Sequence, residues 1–159
     1  MPDSSTASNK ELSDLCRHTA EKSRAAAIQL ATVPGEQRAA CLRVAADIIR
    51  KDEADILKAN LRDLAAAPGF GLTEAATDRL RLDSERIEGI AAGVEAVAEL
   101  PDPVGELIEI STQPNGLQVR KVRVPLGVIF FIYESRPNVT ADAAAVAIAS
   151  GNAVILRGG

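Results

Sequence analysis

Aromatic and sulfur-containing residues are scarce in this sequence. Its 159 residues include no tryptophan, one tyrosine, three phenylalanines, two cysteines and one histidine. Cys16 and Cys41 lie far apart with no CxxC spacing, which argues against a disulfide framework and a structural zinc site. His18 is two residues from Cys16, on a different face of a helix, so the two cannot form a local nucleophile–base pair. We therefore expect no metal site.

Basic stripes and long apolar runs are also lacking. The net charge is -4, and no basic patch interleaved with aromatics is present, so we expect no nucleic-acid partner. The longest apolar runs are far shorter than the roughly 20 residues of a membrane span, so we expect no membrane partner. The first residues have neither the basic nor the apolar region of a secretory signal. These absences predict a cytoplasmic protein.

Helical periodicity dominates the first part of the chain. Residues 1–10 are small and polar and predict a flexible tail. Residues 11–103 predict a helical part, with helices over about 11–33, 36–64, a third opened by Thr73, and a fourth over 83–100. Asp83 or Ser84 supplies the cap of the fourth helix. This part shows no group of residues with a catalytic spacing, and its pattern is typical of a structural scaffold.

Residues 104–124 predict an antiparallel β-hairpin. The segments 104–111 and 117–124 are rich in β-branched residues, and Asn115-Gly116 between them is a strong hairpin signal. Polar and apolar side chains alternate imperfectly, as in a two-stranded ribbon with one solvent-exposed face. We expect such a ribbon to serve in oligomerisation.

Residues 125–159 predict the start of a parallel sheet. The apolar run 126–133 indicates a strand buried on both faces, and 152–157 indicates a second strand. Between them, an alanine-rich helix over 140–150 has Asp142 in its first turn and ends at Gly151. The fold class is therefore α/β, with amino-terminal helices, a hairpin and a βαβ unit.

The carboxyl ends of these two parallel strands share one edge of the sheet, where ligands bind in open α/β folds. Glu134, Arg136 and Asn138 leave the first strand there, and Arg157-Gly158 leaves the second. Arginine forks suit phosphate recognition, and glycine permits close backbone approach. Two interpretations stand at this point: a nucleotide or phosphate site, or a structural turn in which Glu134 holds Arg136.

Three tracts carry a family resemblance: VPLGVI (124–129), IYESRPNVT (132–140) and SGNAVILRGG (150–159). They resemble the gamma-glutamyl phosphate reductases (glutamate-5-semialdehyde dehydrogenases) of the aldehyde dehydrogenase superfamily. The resemblance implies a Rossmann-type cofactor domain and NADPH-dependent reduction of L-glutamyl 5-phosphate to L-glutamate 5-semialdehyde and phosphate, in proline biosynthesis. It also implies a homo-oligomer, and a nucleophilic cysteine beyond residue 159, so the isolated segment is expected to be inactive.

The resemblance also assigns roles to individual residues. Asn138 matches the asparagine that stabilises the oxyanion, and Arg157 matches a cation near the cofactor's adenosine ribose, where it suits the 2′-phosphate of NADPH. The cofactor-binding set implied in this way is Pro125, Tyr133, Glu134, Arg136, Arg157 and Gly158. Two alternatives remain: a non-catalytic segment that acts as an assembly or binding module, and a superfamily member with another acyl substrate.

Overall fold

The computed structural model describes the backbone of residues 4–134 and 136–158, with side chains from residue 9 onward. Residues 1–3 of the predicted tail, Ser135 and Gly159 lie outside the described residues. Six helices, two hairpin strands and two parallel strands lie within residues 4–134 and 136–158. They are α1 (Ser4–Leu30), α2 (Gly35–Lys51), α3 (Glu53–Ala66), α4 (Glu74–Leu80), α5 (Ser84–Ala98), β1 (Leu107–Thr112), β2 (Gln118–Val122), β3 (Val128–Tyr133), α6 (Pro137–Ala149) and β4 (Ala153–Gly158), with a 3-10 turn at Ala67–Phe70.

The helical part differs from the prediction at two places. α1 begins at Ser4, inside the segment 1–10 for which a tail is predicted; no glycine or proline interrupts residues 4–33. The helix predicted over 36–64 is two helices separated at Asp52. The Asp52 amide donates to the Ile48 carbonyl at the end of α2, and the Asp52 carbonyl accepts the amides of Asp55 and Ile56 at the start of α3. Apolar periodicity continues across this break and therefore conceals it.

Two predicted caps are present. The hydroxyl of Thr73 accepts a hydrogen bond from the Ala76 amide at 3.2 Å, and α4 starts there. The carboxylate of Asp83, rather than the Ser84 hydroxyl, accepts the Arg86 amide at 2.7 Å and caps α5. Each supplies an acceptor to an amide that has no partner within its helix.

The core lies where α2, α5 and α6 meet. Small side chains dominate it, which lets the three helix backbones approach closely. Its fully buried members are Leu42, Ala46, Ala91, Val94, Ala98 and Ala145. In the described part of the chain, no helix is both long and apolar enough to cross a membrane.

A buried ion pair joins the helices to the strands. Arg38 in α2 is 2% exposed, and its guanidinium donates to the Asp102 carboxylate and, at 2.8 Å, to the Val33 carbonyl. The same carboxylate accepts the Val104 amide at 2.9 Å. Gly35 has no space for a side chain, because a Cβ there would overlap Asp102. The segment entering the hairpin is thereby fixed to the start of α2.

Both predicted strand pairings are confirmed. β1 and β2 are antiparallel, and Gly116 in their connection has φ +84°, which favours glycine. β3 and β4 are parallel, in a register that pairs Ile132 with Arg157 and Tyr133 with Gly158.

The prediction that β3 is buried on both faces is wrong for the described chain. Phe130 and Ile132 are 62% and 69% exposed. β3 has β4 as its neighbouring strand, and α1 and α6 lie mainly over β4. The described elements therefore leave one face of β3 open.

α6 begins three residues earlier than predicted. Pro137 occupies its first turn, a position that proline favours because its missing N–H has no partner there. Asp142 consequently lies in the second turn, not the first. The predicted stop is confirmed: Gly151 has φ +74°, and a Cβ there would lie 2.9 Å from the Pro125 ring.

A second polar link connects α2 with α5. The Arg50 guanidinium donates to Glu95 at 2.7 Å and to Glu88 at 2.8 Å and 2.9 Å. These hydrogen bonds from Arg50 lower the pKa of both carboxyls and raise the pKa of Arg50. All three side chains are partly exposed, so water and salt screen the interaction.

Replacing Asp102 by alanine should destabilise the chain by about 2–3 kcal/mol. The change leaves the buried Arg38 charge without its carboxylate; the loss is smaller than for a fully buried pair because Asp102 is 39% exposed. Glu99→Ala is the control, since the exposed Arg43–Glu99 pair contributes below about 1 kcal/mol. Urea unfolding of the three proteins measures both effects, and equal losses would contradict the role assigned to Arg38.

Replacing Arg50 by methionine should remove a pH-dependent contribution. Because the folded-state pKa values of Glu88 and Glu95 are lowered, their contribution is present above the ordinary glutamate value of 4.5 and is lost as pH falls below it. The difference in unfolding free energy between wild type and Arg50→Met should therefore shrink from pH 7 toward pH 3. A difference that stays constant over that range would contradict the pairing.

Candidate functional site

The carboxyl ends of β3 and β4 open into a cleft of about 900 Å³. Four of the predicted cofactor residues line it: Tyr133, Glu134, Arg136 and Gly158. Its remaining wall is largely apolar and comes from α2 to α6, the 3-10 turn and the connections on either side of α4. The parallel pairing therefore brings these four residues to one edge, as the topology predicted for Glu134, Arg136 and Gly158 and as the resemblance implied for Tyr133.

Tyr133 closes one side of this cleft. Its hydroxyl lies 2.6 Å from the Thr140 hydroxyl in α6, which ties the end of β3 to the following helix. A Cβ at Gly158 would lie 3.5 Å from the same hydroxyl, so the ring stands directly beside the glycine backbone. Among the described residues, Arg136 makes no ion pair with Glu134; the link between them is the Arg136 amide bonded to the Glu134 carbonyl at 2.8 Å.

Arg157 lies on the opposite face of the sheet from the cleft. Successive side chains of a strand point to opposite faces. Leu156 and Gly158 line the cleft, and Arg157, paired with Ile132, points away from it. Arg157 is exposed and forms no ion pair within the described part of the chain. Its guanidinium is thus available to an anion that approaches this other face.

Asn138 lies in a second cavity, of about 360 Å³. This cavity adjoins the larger cleft, because Pro137, Leu82 and Ile90 line both. The Asn138 amide nitrogen donates to the Asp142 carboxylate at 3.1 Å. The predicted oxyanion donor and the four residues of the large cleft therefore lie in neighbouring cavities, and Pro137 stands between them.

Charged side chains surround Asn138 in the second cavity. The Arg86 guanidinium donates to the backbone carbonyl of Arg81 at 2.7 Å and to that of Asp78. Arg79 and Asp142 also line the cavity. A buried Asn60 fixes the connection between α4 and α5 behind them: it donates to the Leu80 carbonyl and accepts the Leu82 amide, both at 2.8 Å.

Sequence reasoning missed this charged cluster. Nothing in the spacing of Asp78, Arg79 and Arg86 connects them with Asn138 in the sequence. The cluster exists because the α4–α5 connection packs against the start of α6. Long-range packing of this kind leaves no periodic signal.

Pro125 is not brought to the carboxyl edge. It precedes β3, and its ring packs against Gly151 in the turn between α6 and β4. The whole length of β3 therefore separates Pro125 from Tyr133. Its predicted role in the cofactor cleft has no geometric support from the described residues.

Cysteine and metal chemistry have no site in the described residues. Cys16 and Cys41 are exposed on α1 and α2 and line neither cavity. No group of three or more His, Cys, Asp or Glu side chains is arranged to hold a metal ion in the part of the chain that the structure describes.

Known proteins resemble this chain over most of its length. Gamma-glutamyl phosphate reductase of Rhizorhabdus wittichii is 58% identical over 87% of this chain, and that of Caulobacter vibrioides is 58% identical over 85%. The crystal structure of gamma-glutamyl phosphate reductase from Thermotoga maritima superposes with a TM-score of 0.84 and 38% identity over 89% of this chain. The chain spans about a third of the length of each: 32%, 32% and 34%.

The fold is thus that of these reductases, and the segment corresponds to part of their structure. The aldehyde dehydrogenase family model matches residues 5–158, which is nearly the entire described chain. On this match, the chain belongs to the aldehyde dehydrogenase family.

Proposed function

We propose that the protein containing this chain reduces L-glutamyl 5-phosphate to L-glutamate 5-semialdehyde, with release of phosphate and with NADPH as the reductant. One observation carries the proposal: relatives that are 58% identical over most of the chain are named for this reaction. The loop IYESRPNVT, in which the predicted oxyanion donor lies, is one of the three tracts that carry the family resemblance. Proline biosynthesis in the cytoplasm is the corresponding setting.

Asn138 is the residue proposed to act on the reacting carbonyl. Its amide lies at the start of α6, in a cavity of its own beside the carboxyl edge of the sheet. An amide N–H held in place before the reaction stabilises the negative charge that develops on the carbonyl oxygen. The nucleophile is proposed to be a cysteine outside this segment, since Cys16 and Cys41 line neither cavity.

The residues of the carboxyl edge fit a phosphorylated dinucleotide. The exposed Arg157 guanidinium offers paired N–H donors of the kind that bind a 2′-phosphate. Gly158 leaves the strand backbone open to a ligand, and Tyr133, Glu134 and Arg136 line the cleft on the other face of the sheet from Arg157, so the two groups of residues meet only at the carboxyl edge. NADPH, when bound, supplies the hydride. We propose that Arg157 contributes chiefly to the choice of NADPH over NADH.

The hairpin supports a proposed homo-oligomer. Apolar side chains along both strands are about half exposed; they include Leu107 at 46%, Ile110 at 50%, Val119 at 44% and Val122 at 46%. Exposed strands of this kind favour pairing with another surface. A second copy of the protein is the partner that the family resemblance implies.

Replacing Arg157 by alanine in the full-length protein should lower kcat/KM for NADPH about tenfold or more. The value for NADH should change little, because NADH lacks the 2′-phosphate. Steady-state rates with each cofactor measure the ratio, and Arg120→Ala in the hairpin serves as a control for loss of positive charge. Equal losses with both cofactors would contradict a role for Arg157 in choosing between them.

Replacing Asn138 by alanine should lower kcat by a factor on the order of 10²–10³, because one oxyanion donor is lost. The reverse reaction, phosphate-dependent oxidation of glutamate 5-semialdehyde with NADP⁺, provides the assay. Cys16→Ser and Cys41→Ser should leave kcat unchanged. An active wild-type protein that instead prefers an unrelated aldehyde would favour the alternative, another member of the aldehyde dehydrogenase family.

A further inference from the structure

Asp142 lies one helical turn after Asn138, on the same side of α6. Its Oδ2 atom accepts the hydrogen bond from the Asn138 amide nitrogen at 3.1 Å. Its other oxygen faces α5 at Gly93, where a Cβ would lie 3.7 Å from Oδ1. The carboxylate is therefore placed between two helices, with one oxygen toward Asn138 and the other toward a residue that has no side chain.

The chemistry of this contact fixes the orientation of the amide. An asparagine side chain has an NH₂ group and a carbonyl oxygen at nearly equivalent positions, and a half-turn exchanges them. An ionised carboxylate only accepts hydrogen bonds. With Asp142 opposite, the NH₂ orientation forms a hydrogen bond, whereas the reversed orientation places two oxygens against each other.

The bond to Asp142 uses one of the two amide hydrogens. The second hydrogen stays available for another acceptor. An oxyanion donor has to present N–H at the moment when charge develops, without first having to rotate. An amide held by one hydrogen on a carboxylate meets that requirement.

We propose that Asp142 is a positioning residue, which holds the Asn138 amide in the orientation that donates to the reacting oxygen. The inference rests on the proposed function, since it assigns Asp142 a part in the same reaction. Asp142 itself touches no reacting atom. Asp142 also lines the charged cavity, where a carboxylate could instead bind the ammonium group of the substrate, and the two roles predict different kinetics.

The test compares Asp142→Ala, Asp142→Asn, Asn138→Ala and the double variant Asn138→Ala/Asp142→Ala in the full-length protein. Asp142→Ala should lower kcat by roughly 10–100-fold, because a misplaced donor is lost to the transition state. KM for glutamate 5-semialdehyde should change less than about threefold. Asp142→Asn should fall between wild type and Asp142→Ala, since its amide oxygen still accepts the bond.

The double variant is the sharper measurement. If Asp142 acts through Asn138, the double variant should have the kcat of Asn138→Ala alone. If the double variant loses kcat by the product of the two single losses, the proposal is overturned. An increase in KM for Asp142→Ala at unchanged kcat would also overturn it, because that result identifies Asp142 as a substrate-binding carboxylate. Asp55→Ala, an exposed carboxylate of α3, is the matched control and should leave kcat unchanged.

Two further measurements distinguish an unfolded variant, a failure of the proposed function and a failure of the role assigned to Asp142. Thermal midpoints confirm that each variant is folded; if Asp142→Ala is unfolded, Asp142→Asn and its combination with Asn138→Ala decide the question in the same way. A wild-type protein without reductase activity would refute the proposed function. An active wild type with an unaffected Asp142→Ala would refute only the role of Asp142.

Discussion

The ion pair between Arg38 and Asp102 is the contact on which the two halves of the structure depend. Arg38 is almost fully buried, and its guanidinium bonds both to the carbonyl of Val33 at the end of the α1–α2 connection and to the segment that enters the hairpin. Val104 and Gly151 are close neighbours. The helices, the hairpin and the α6–β4 turn therefore meet around one charge.

Burying a guanidinium costs free energy, which the structure offsets through two acceptors, the Asp102 carboxylate and the Val33 carbonyl, while the Nε atom of Arg38 has no hydrogen-bond partner among the described residues. Asp102 in turn is held by the Val104 amide. The pair contributes specificity of arrangement more than net stability, because a displaced α2 would leave a charge in an apolar interior. From this fixed point β3 runs to its carboxyl end, where the cleft and Tyr133 lie.

Local chemistry made much of this fold predictable. Thr73 and Asp83 were identifiable as caps, Asn115-Gly116 as a hairpin turn, and Gly151 as a helix end, because each residue type satisfies a need of its own backbone. The topology then placed Tyr133, Glu134, Arg136 and Gly158 at one edge. The sequence pattern did not reveal the break between α2 and α3 at Asp52, because apolar residues recur with the same helical period on both sides of it.

Features that depend on distant packing could not be predicted in this way. The cavity around Asn138 requires the α4–α5 connection to dock on α6, and the exposure of Phe130 and Ile132 depends on which helices cover β3. The face to which Arg157 points follows from strand alternation, yet only the observed register shows that Gly158, not Arg157, shares the cleft with Tyr133.

The glycine at position 35 has a consequence for how this sequence can evolve. Because the space of a Cβ at Gly35 is filled by the Asp102 carboxylate, no larger residue can enter at 35 while the aspartate stays in place. Conversely, a shorter residue at 102 would leave Arg38 without its partner. A lineage that departs from this arrangement has to change positions 35, 38 and 102 together, so they should drift as one unit rather than singly.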